Sequence, residues 1–276
     1  MGAELPWADL GLLLLALSLA GVVTGFMAGV LGIGGGAILV PVLHEVFGIV
    51  GVDASVRMQL AIGTSMAIIV PTTIRTLRAH LAREAVDREL VRSLIVPCLI
   101  GVGIGVVTGG WVGATGLKLF WIVCASLLSL KFFIGQRDWR IGETIPGPPF
   151  IWLFGVVVGF ISAMMSVAGG VYVTALMTLY GRPIHRAIAT GTGIGPAISI
   201  AGTLGFIWAG WGVKGLPLSS FGYVNLIGAL IVAVASVLSA PLGVRIAYGL
   251  EPRTLELAFA GFLALAGLRF LVGLVV

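Results

Sequence analysis

An apolar run of membrane length that carries its own interruption limits this chain more than any other feature. The stretch "TGFMAGVLGIGGGAILVPVL", Thr24 to Leu43, places Gly32, Gly34, Gly35 and Gly36 inside what would otherwise be one long helix. A glycine in a helix interior costs about 1 kcal/mol relative to alanine. Small-xxx-small spacing accounts for Gly25 and Gly29, and likewise for Gly101 and Gly105, as close helix packing. Four glycines within the five residues from Gly32 to Gly36 exceed what packing needs, so the reading here is a helix that stops and restarts. A dinucleotide-binding fingerprint with Asp53 downstream is rejected, because that motif follows a strand in a soluble βαβ unit.

Composition sets the surroundings of this break. The 276 residues are 59% hydrophobic and 10% charged, with a mean hydropathy of +1.15, whereas soluble domains carry about 25% charged residues. The chain is expected to be an all-α polytopic membrane protein. Its acidic start, "MGAELPWADL", lacks the basic n-region of a secretory signal, so the first apolar segment reads as a retained helix. Runs long enough to span lie near 11–31, 58–79, 93–112, 115–135, 149–167, 187–210, 220–244 and 254–275. Two shorter pieces, near 36–48 and 170–180, are each a half-helix, a tilted short span or the return arm of a re-entrant hairpin. Cys98 and Cys124 fall inside apolar segments without a CxxC pair, which gives neither a disulfide framework nor a metal site. The basic residues are scattered among short loops, a pattern that does not suit nucleic acid.

Those loops orient the chain. With 49–56 outside and 80–92 inside, the inner side collects twelve Lys and Arg, among them Arg75, Arg78, Arg83, Arg88 and Arg92, and the outer side keeps four: Arg57, Lys118, Lys214 and Arg269. The positive-inside rule then puts both termini outside. Each half crosses an odd number of times, so the two halves run in opposite senses.

They also resemble one another. "GFMAGVLGIGGGAILVPVL" from Gly25 aligns without a gap to "GFISAMMSVAGGVYVTALM" from Gly159, bringing Gly35 and Gly36 onto Gly169 and Gly170. "AIGTS" from Ala61 matches "ATGTG" from Ala189, and Lys131 falls opposite Arg269. The chain therefore reads as two inverted-topology repeats, 1–140 and 141–276, each broken at a Gly-rich motif. Such repeats point to a secondary transporter with its substrate near the midplane, where broken helices meet.

A restarted helix leaves free N–H groups at its N-terminus, and these bind anions. Gly34, Gly35 and Gly36 supply one such end, and Ala168, Gly169 and Gly170 the other. Ser166, Thr64, Ser65 and Thr192 are candidates to add hydroxyls; for the threonines and Ser65 the alternative is back-bonding or helix glue. Gln59, in the polar patch "RMQ", is a further candidate ligand. One favourable helix terminus contributes up to about 2 kcal/mol to a negative charge. Two give about 4, which matches a millimolar dissociation constant. Lys131 and Arg269 either snorkel to the nearest interface or draw anions into two vestibules. His44, His80 and His185 read as solvated loop residues. No Asp or Glu falls in the middle of an expected span, which argues against a cation carrier. No catalytic residue, metal or cofactor is expected; an intramembrane hydrolase using Ser65 or Ser166 with His185 lacks a GxS nucleophile turn.

The first signature, its degenerate second copy, "LAIGTSMAIIVPTT" and the basic loop "RAHLAREAVD" resemble the TauE/SafE-type sulfite exporters over nearly the whole chain. The resemblance implies a carrier in a bacterial or archaeal inner membrane for a small sulfur-containing anion, sulfite or a related species such as an organosulfonate or thiosulfate. An anion channel lined by the same breaks is the other reading. The second break, "SVAGG", is poorer in glycine than the first, so the two half-sites are not expected to be equivalent.

Overall fold

A computed structural model describes residues 7–31, 35–134, 140–217, 219–247, 249 and 252–275. The described residues form ten helices: α1 (Trp7–Leu31), α2 (Gly36–Ile49), α3 (Ala54–Leu81), α4 (Arg88–Trp111), α5 (Gly113–Ile134), α6 (Pro148–Met165), α7 (Gly170–Leu179), α8 (Ile184–Ala209), α9 (Leu226–Ala247) and α10 (Pro252–Val275). Six of them are long and apolar enough to cross a membrane. The protein is an all-α polytopic membrane protein, and its side chains are sorted accordingly. Leu15, Leu127, Leu153, Leu204, Leu230, Leu238 and Leu265 are exposed around the outside, while Thr24, Thr64, Ser65, Thr72, Thr73, Ser162, Ser166 and Ser199 are buried within. Trp111, Trp208 and Trp211 are exposed at the C-terminal ends of α4 and α8, where indole rings mark a membrane–water interface.

At the centre, α3 and α8 cross antiparallel. Gly202 of α8 meets the Met66 side chain, and Gly195 meets Thr73. Around them the two halves of the chain interleave. Helix α1 lies along α9, with Gly21, Gly25 and Gly29 set against the carbonyls of Val232, Ser236 and Ala240. Helix α6 lies along α4 in the same way: Gly159 faces the Cys98 carbonyl and Gly101 the Val156 carbonyl. Lipid offers no hydrophobic drive for helix pairing, so backbones must approach closely for dispersion to hold them together. That is the use of Gly25, Gly29, Gly101 and Gly105. Helices α5 and α10 pair through Ser129, whose Oγ donates to the Ala260 carbonyl at 2.8 Å, and through Phe132 edge-on to Phe259 at 5.7 Å.

The expected apolar runs match the observed helices except in two respects. The run expected from 220 is instead a two-stranded hairpin, Ser220–Phe221 with Val224–Asn225, and α9 starts only at Leu226. Gly222 turns the hairpin at φ +52°, and Asn225 caps α9 by accepting the Gly228 N–H at 2.8 Å. Cap chemistry overrides hydropathy here, since a side-chain acceptor three residues ahead fixes the helix start. Second, His44 and His80 are not solvated loop residues. Both are buried on helices, at 6% and 1% exposure, whereas His185 is exposed as expected.

Caps also tie the halves together. Asp87 caps α4 by accepting the Leu90 N–H, and its own N–H donates to Thr190 Oγ1 of α8 at 2.9 Å. The Asn225 N–H donates to Thr64 Oγ1 of α3, also at 2.9 Å. Thr190→Val keeps the shape and removes the acceptor, leaving the Asp87 N–H unmet. The expected cost is about 1–3 kcal/mol, read as a lowered thermal midpoint in detergent with little change in transport affinity.

Candidate functional site

Both Gly-rich motifs are breaks, and they are built alike. Gly35 (φ +76°) precedes α2 and Gly169 (φ +75°) precedes α7, each in the left-handed region that favours glycine. The carbonyl of each then accepts the first two helical bonds: Ile38 and Leu39 donate to Gly35, Tyr172 and Val173 to Gly169. The N–H groups of the first turn have no intrahelical acceptor, as at any helix start. Ser166, which ends α6, is itself left-handed at φ 57°, a strained position for a residue with a Cβ. Gly34 lies outside the described residues.

The short helices turn back on the long ones that precede them. Gly35 sits beside the Thr24 carbonyl, seven residues before the end of α1, so α2 begins alongside α1 rather than beyond it. Gly169 sits beside Val158 of α6, the position the sequence alignment sets on Thr24. Each short piece is thus a return arm. At about 1.5 Å per residue, α2 and α7 reach about 21 and 15 Å, short of the roughly 30 Å hydrocarbon core.

The breaks meet each other. Gly36 packs so tightly on the Ser166 carbonyl that an added Cβ would overlap it, and Ser166 Oγ lies 3.2 Å from that Cβ position. Ser65 Oγ is directed at the Gly36 carbonyl at the long distance of 3.5 Å. Further along, Ala168 faces Gly195 of α8, which in turn touches Thr73 of α3, and the Gly170 carbonyl abuts Gly191. Gly36 therefore meets the central pair at Ser65, and Ala168 meets it at the level of Thr73, eight residues and about 12 Å further along α3. The two helix starts thus lie at different levels along α3.

Of the remaining candidates, Thr64 turns its oxygen to the hairpin at Asn225, and Thr192 donates back to the Ala189 carbonyl at 2.7 Å. Gln59 is buried near the start of α3 with its Oε1 unpartnered. Ser166 and Ser162, one turn apart, both have buried hydroxyls without a partner. An unmet buried hydroxyl is costly, and such groups cluster where a ligand or water completes them.

Three residues at this place were not singled out from the sequence: Thr73 and Ser199, whose hydroxyls meet at 3.3 Å, and Ser162. Ser162 could have been found by its i−4 spacing from Ser166. Nothing local marks Ser199 as the partner of Thr73. Away from the breaks, a groove of about 200 Å³ between α4 and α8 is lined by Leu99, Val102, Val106, Val107, Ala201 and Trp208. Its apolar walls suit lipid and offer nothing to an anion.

Comparison with known proteins agrees with this architecture. A family model described as sulfite exporter TauE/SafE matches residues 17–270. A "probable membrane transporter protein" of Haemophilus influenzae is 30% identical over 252 residues, covering 91% of this chain and 95% of that protein. One of Methanocaldococcus jannaschii is 26% identical, covering 95% of this chain and 96% of its own length. No solved structure matches.

Proposed function

The chain belongs to the TauE/SafE sulfite exporter family of membrane transporters, and on that premise we propose that it moves a small sulfur oxyanion, sulfite foremost, by alternating access around the paired breaks. The observation that carries this reading is the contact of Gly36 with Ser166 beside Ser65. Two interruptions 130 residues apart in sequence share one buried place, and an unpartnered hydroxyl stands in it.

The anion is held between the two helix starts. Backbone N–H groups at Gly35 and Gly36 approach it from one side, and those at Ala168, Gly169 and Gly170 from the other. Ser166 and Ser65 donate hydroxyl protons, and Thr64, Thr192 and Gln59 wall the ends of the space. Broken backbone is tolerated at membrane depth when protein or a water-filled cavity covers it. The dipoles of α2 and α7 both present positive ends to the gap, so no buried arginine is needed. A site built from amides and hydroxyls binds weakly enough to release its cargo.

Residues 1–140 and 141–276 act as inverted repeats that rock against one another. The exchange of partners supports this, with α1 of the first half on α9 and α6 of the second on α4, as do Gly25 and Gly159 each set against a carbonyl of the opposite half. The carrier sits in a bacterial or archaeal inner membrane with both termini outside, in keeping with its loop charges.

Counterflow of labelled sulfite in proteoliposomes, competed by thiosulfate, sulfoacetate, sulfate and acetate, tests the substrate. Saturable exchange inhibited by the sulfur anions and not by acetate is the expected result; its absence overturns the assignment. Ser166→Ala tests the site. A hydrogen bond to a charged group is worth about 1.5–3 kcal/mol, so the sulfite KM should rise between tenfold and a hundredfold. Thermal stability should hold, because the hydroxyl has no partner in the resting protein. A KM within twofold of the parent would remove Ser166 from the site.

A further inference from the structure

At the other end of α2, one half-helix from the break, donors gather that have too few acceptors. Four helices contribute. His44 and Glu45 end α2, Arg57 begins α3, Lys118 and Trp121 begin α5, and Arg269 lies near the end of α10. Arg269 Nη2 pairs with Glu45 Oε2 at 3.0 Å, and His44 Nδ1 stands 3.7 Å from the other carboxylate oxygen. The Arg57 guanidinium donates to the Val52 carbonyl at 2.7 and 3.1 Å and lies over Gly48. Arg57, Lys118 and Arg269 lie within electrostatic reach of His44, and the Glu45 carboxylate lies within reach of Lys118. Asp53, beside Arg57, is already engaged by the N–H and hydroxyl of Ser55.

Three cations therefore share this corner with one carboxylate that faces them. Cations at the C-terminal end of α2 would by themselves only complement its dipole. That account leaves the deeper groups unexplained. Both ring nitrogens of His44 and the indole N–H of Trp121 are buried without hydrogen-bond partners, and both rings stand edge-on to Phe270, at 5.1 and 5.0 Å. Lys118 is one turn from Trp121 on the same face of α5.

We propose that Arg57, Lys118 and Arg269, with His44 and Trp121, form a second oxyanion station: a vestibule that holds the anion at the mouth of the protein, about 12 Å along α2 from the central breaks. The identity of the anion as substrate rests on the transport reading above; the station itself rests on its own donors. A lipid phosphate headgroup offers the same oxygens, and the vestibule is assigned to the soluble anion. Attraction of this kind is screened over about 8 Å at physiological salt, so capture from this face should be strongly salt-dependent.

The test uses the full chain, purified in detergent and reconstituted in phosphatidylcholine vesicles with and without phosphatidylglycerol. Lys118→Gln should weaken one class of sulfite binding at least fivefold by calorimetry. It should raise the KM for entry from this face five- to tenfold, reduce the maximal rate less than twofold, and flatten the dependence of KM on salt. Lys118→Arg should retain most of the parental affinity, and Arg57→Gln should repeat the effect if its thermal midpoint is kept. Sulfite binding and KM within twofold of the parent overturn the proposal. So does loss of bound phosphatidylglycerol with sulfite binding unchanged, which assigns the corner to lipid. If the parent protein carries no sulfite, the transport reading fails and the binding arm still decides: Lys118-dependent sulfite binding upholds the vestibule, and none removes it.

Discussion

Gly36→Ala should reduce sulfite counterflow at least a hundredfold while the protein still reaches the membrane. A single methyl group is enough because of what it would meet. The added Cβ overlaps the Ser166 carbonyl, a backbone atom that no change of rotamer can withdraw. Forced enlargement of a packed place costs about 1–3 kcal/mol, sometimes more, and here the strain falls on the one contact that joins the two breaks. Either the breaks part and the anion loses one helix terminus, or Ser166 leaves its left-handed conformation and its hydroxyl turns away. Gly35→Leu adds the cost of a side chain at φ +76° and should be at least as damaging. Gly103→Ala on α4 is the control: nothing lies within 4 Å of the position its Cβ would occupy, and its rate should match the parent. If Gly36→Ala exchanges sulfite within threefold of the parent, the paired breaks are not the site.

The second large effect concerns assembly. Gly159→Leu, or Gly25→Leu, should reduce the monodisperse folded fraction after detergent extraction to less than a tenth of the parental yield. Gly159 is set against the Cys98 carbonyl, and Gly25 against the Ser236 carbonyl, with no room for a side chain at either place. A leucine at one of these positions holds the helices apart along the whole seam, and dispersion falls off steeply with the added gap. The seams α1–α9 and α6–α4 join the two halves of the chain, so their loss also separates the breaks. Gly261→Leu on α10, where the added Cβ meets nothing within 4 Å, should leave the yield intact. Equal yields for Gly159→Leu and Gly261→Leu would show that the close approach is not needed.

Much of the fold was legible because its signals are local. A membrane helix announces itself in some 20 consecutive residues, and the run from Gly32 to Gly36 announces a break in five. The return of α2 and α7 along the helices that precede them was one of three readings left open, since hydropathy measures length and not direction. The start of α9 was misplaced because Phe221, Tyr223 and Val224 look like helix interior until the Asn225 cap is seen. His44 and His80 were placed in water because they lie near the ends of apolar runs; each instead turns into the bundle. Among the candidate ligands, Ser65 and Ser166 stand at the meeting of the breaks, while Thr64 and Thr192 spend hydroxyl capacity on Asn225 and Ala189. No sequence rule separates Thr64 from Ser65: adjacent helical residues point about 100° apart, and what each finds depends on its neighbours.

By itself the sequence determined the solvent, the helices and the places where helix stops, because free energies of transfer and backbone propensity are properties of a residue and its nearest companions. Only the tertiary structure decided that Gly36 would meet Ser166, that Thr73 would meet Ser199, and that Arg57, Lys118 and Arg269 would gather around one end of α2. Those meetings join residues far apart in the chain. Close approach of backbones is a property of two surfaces together, and neither surface carries it alone.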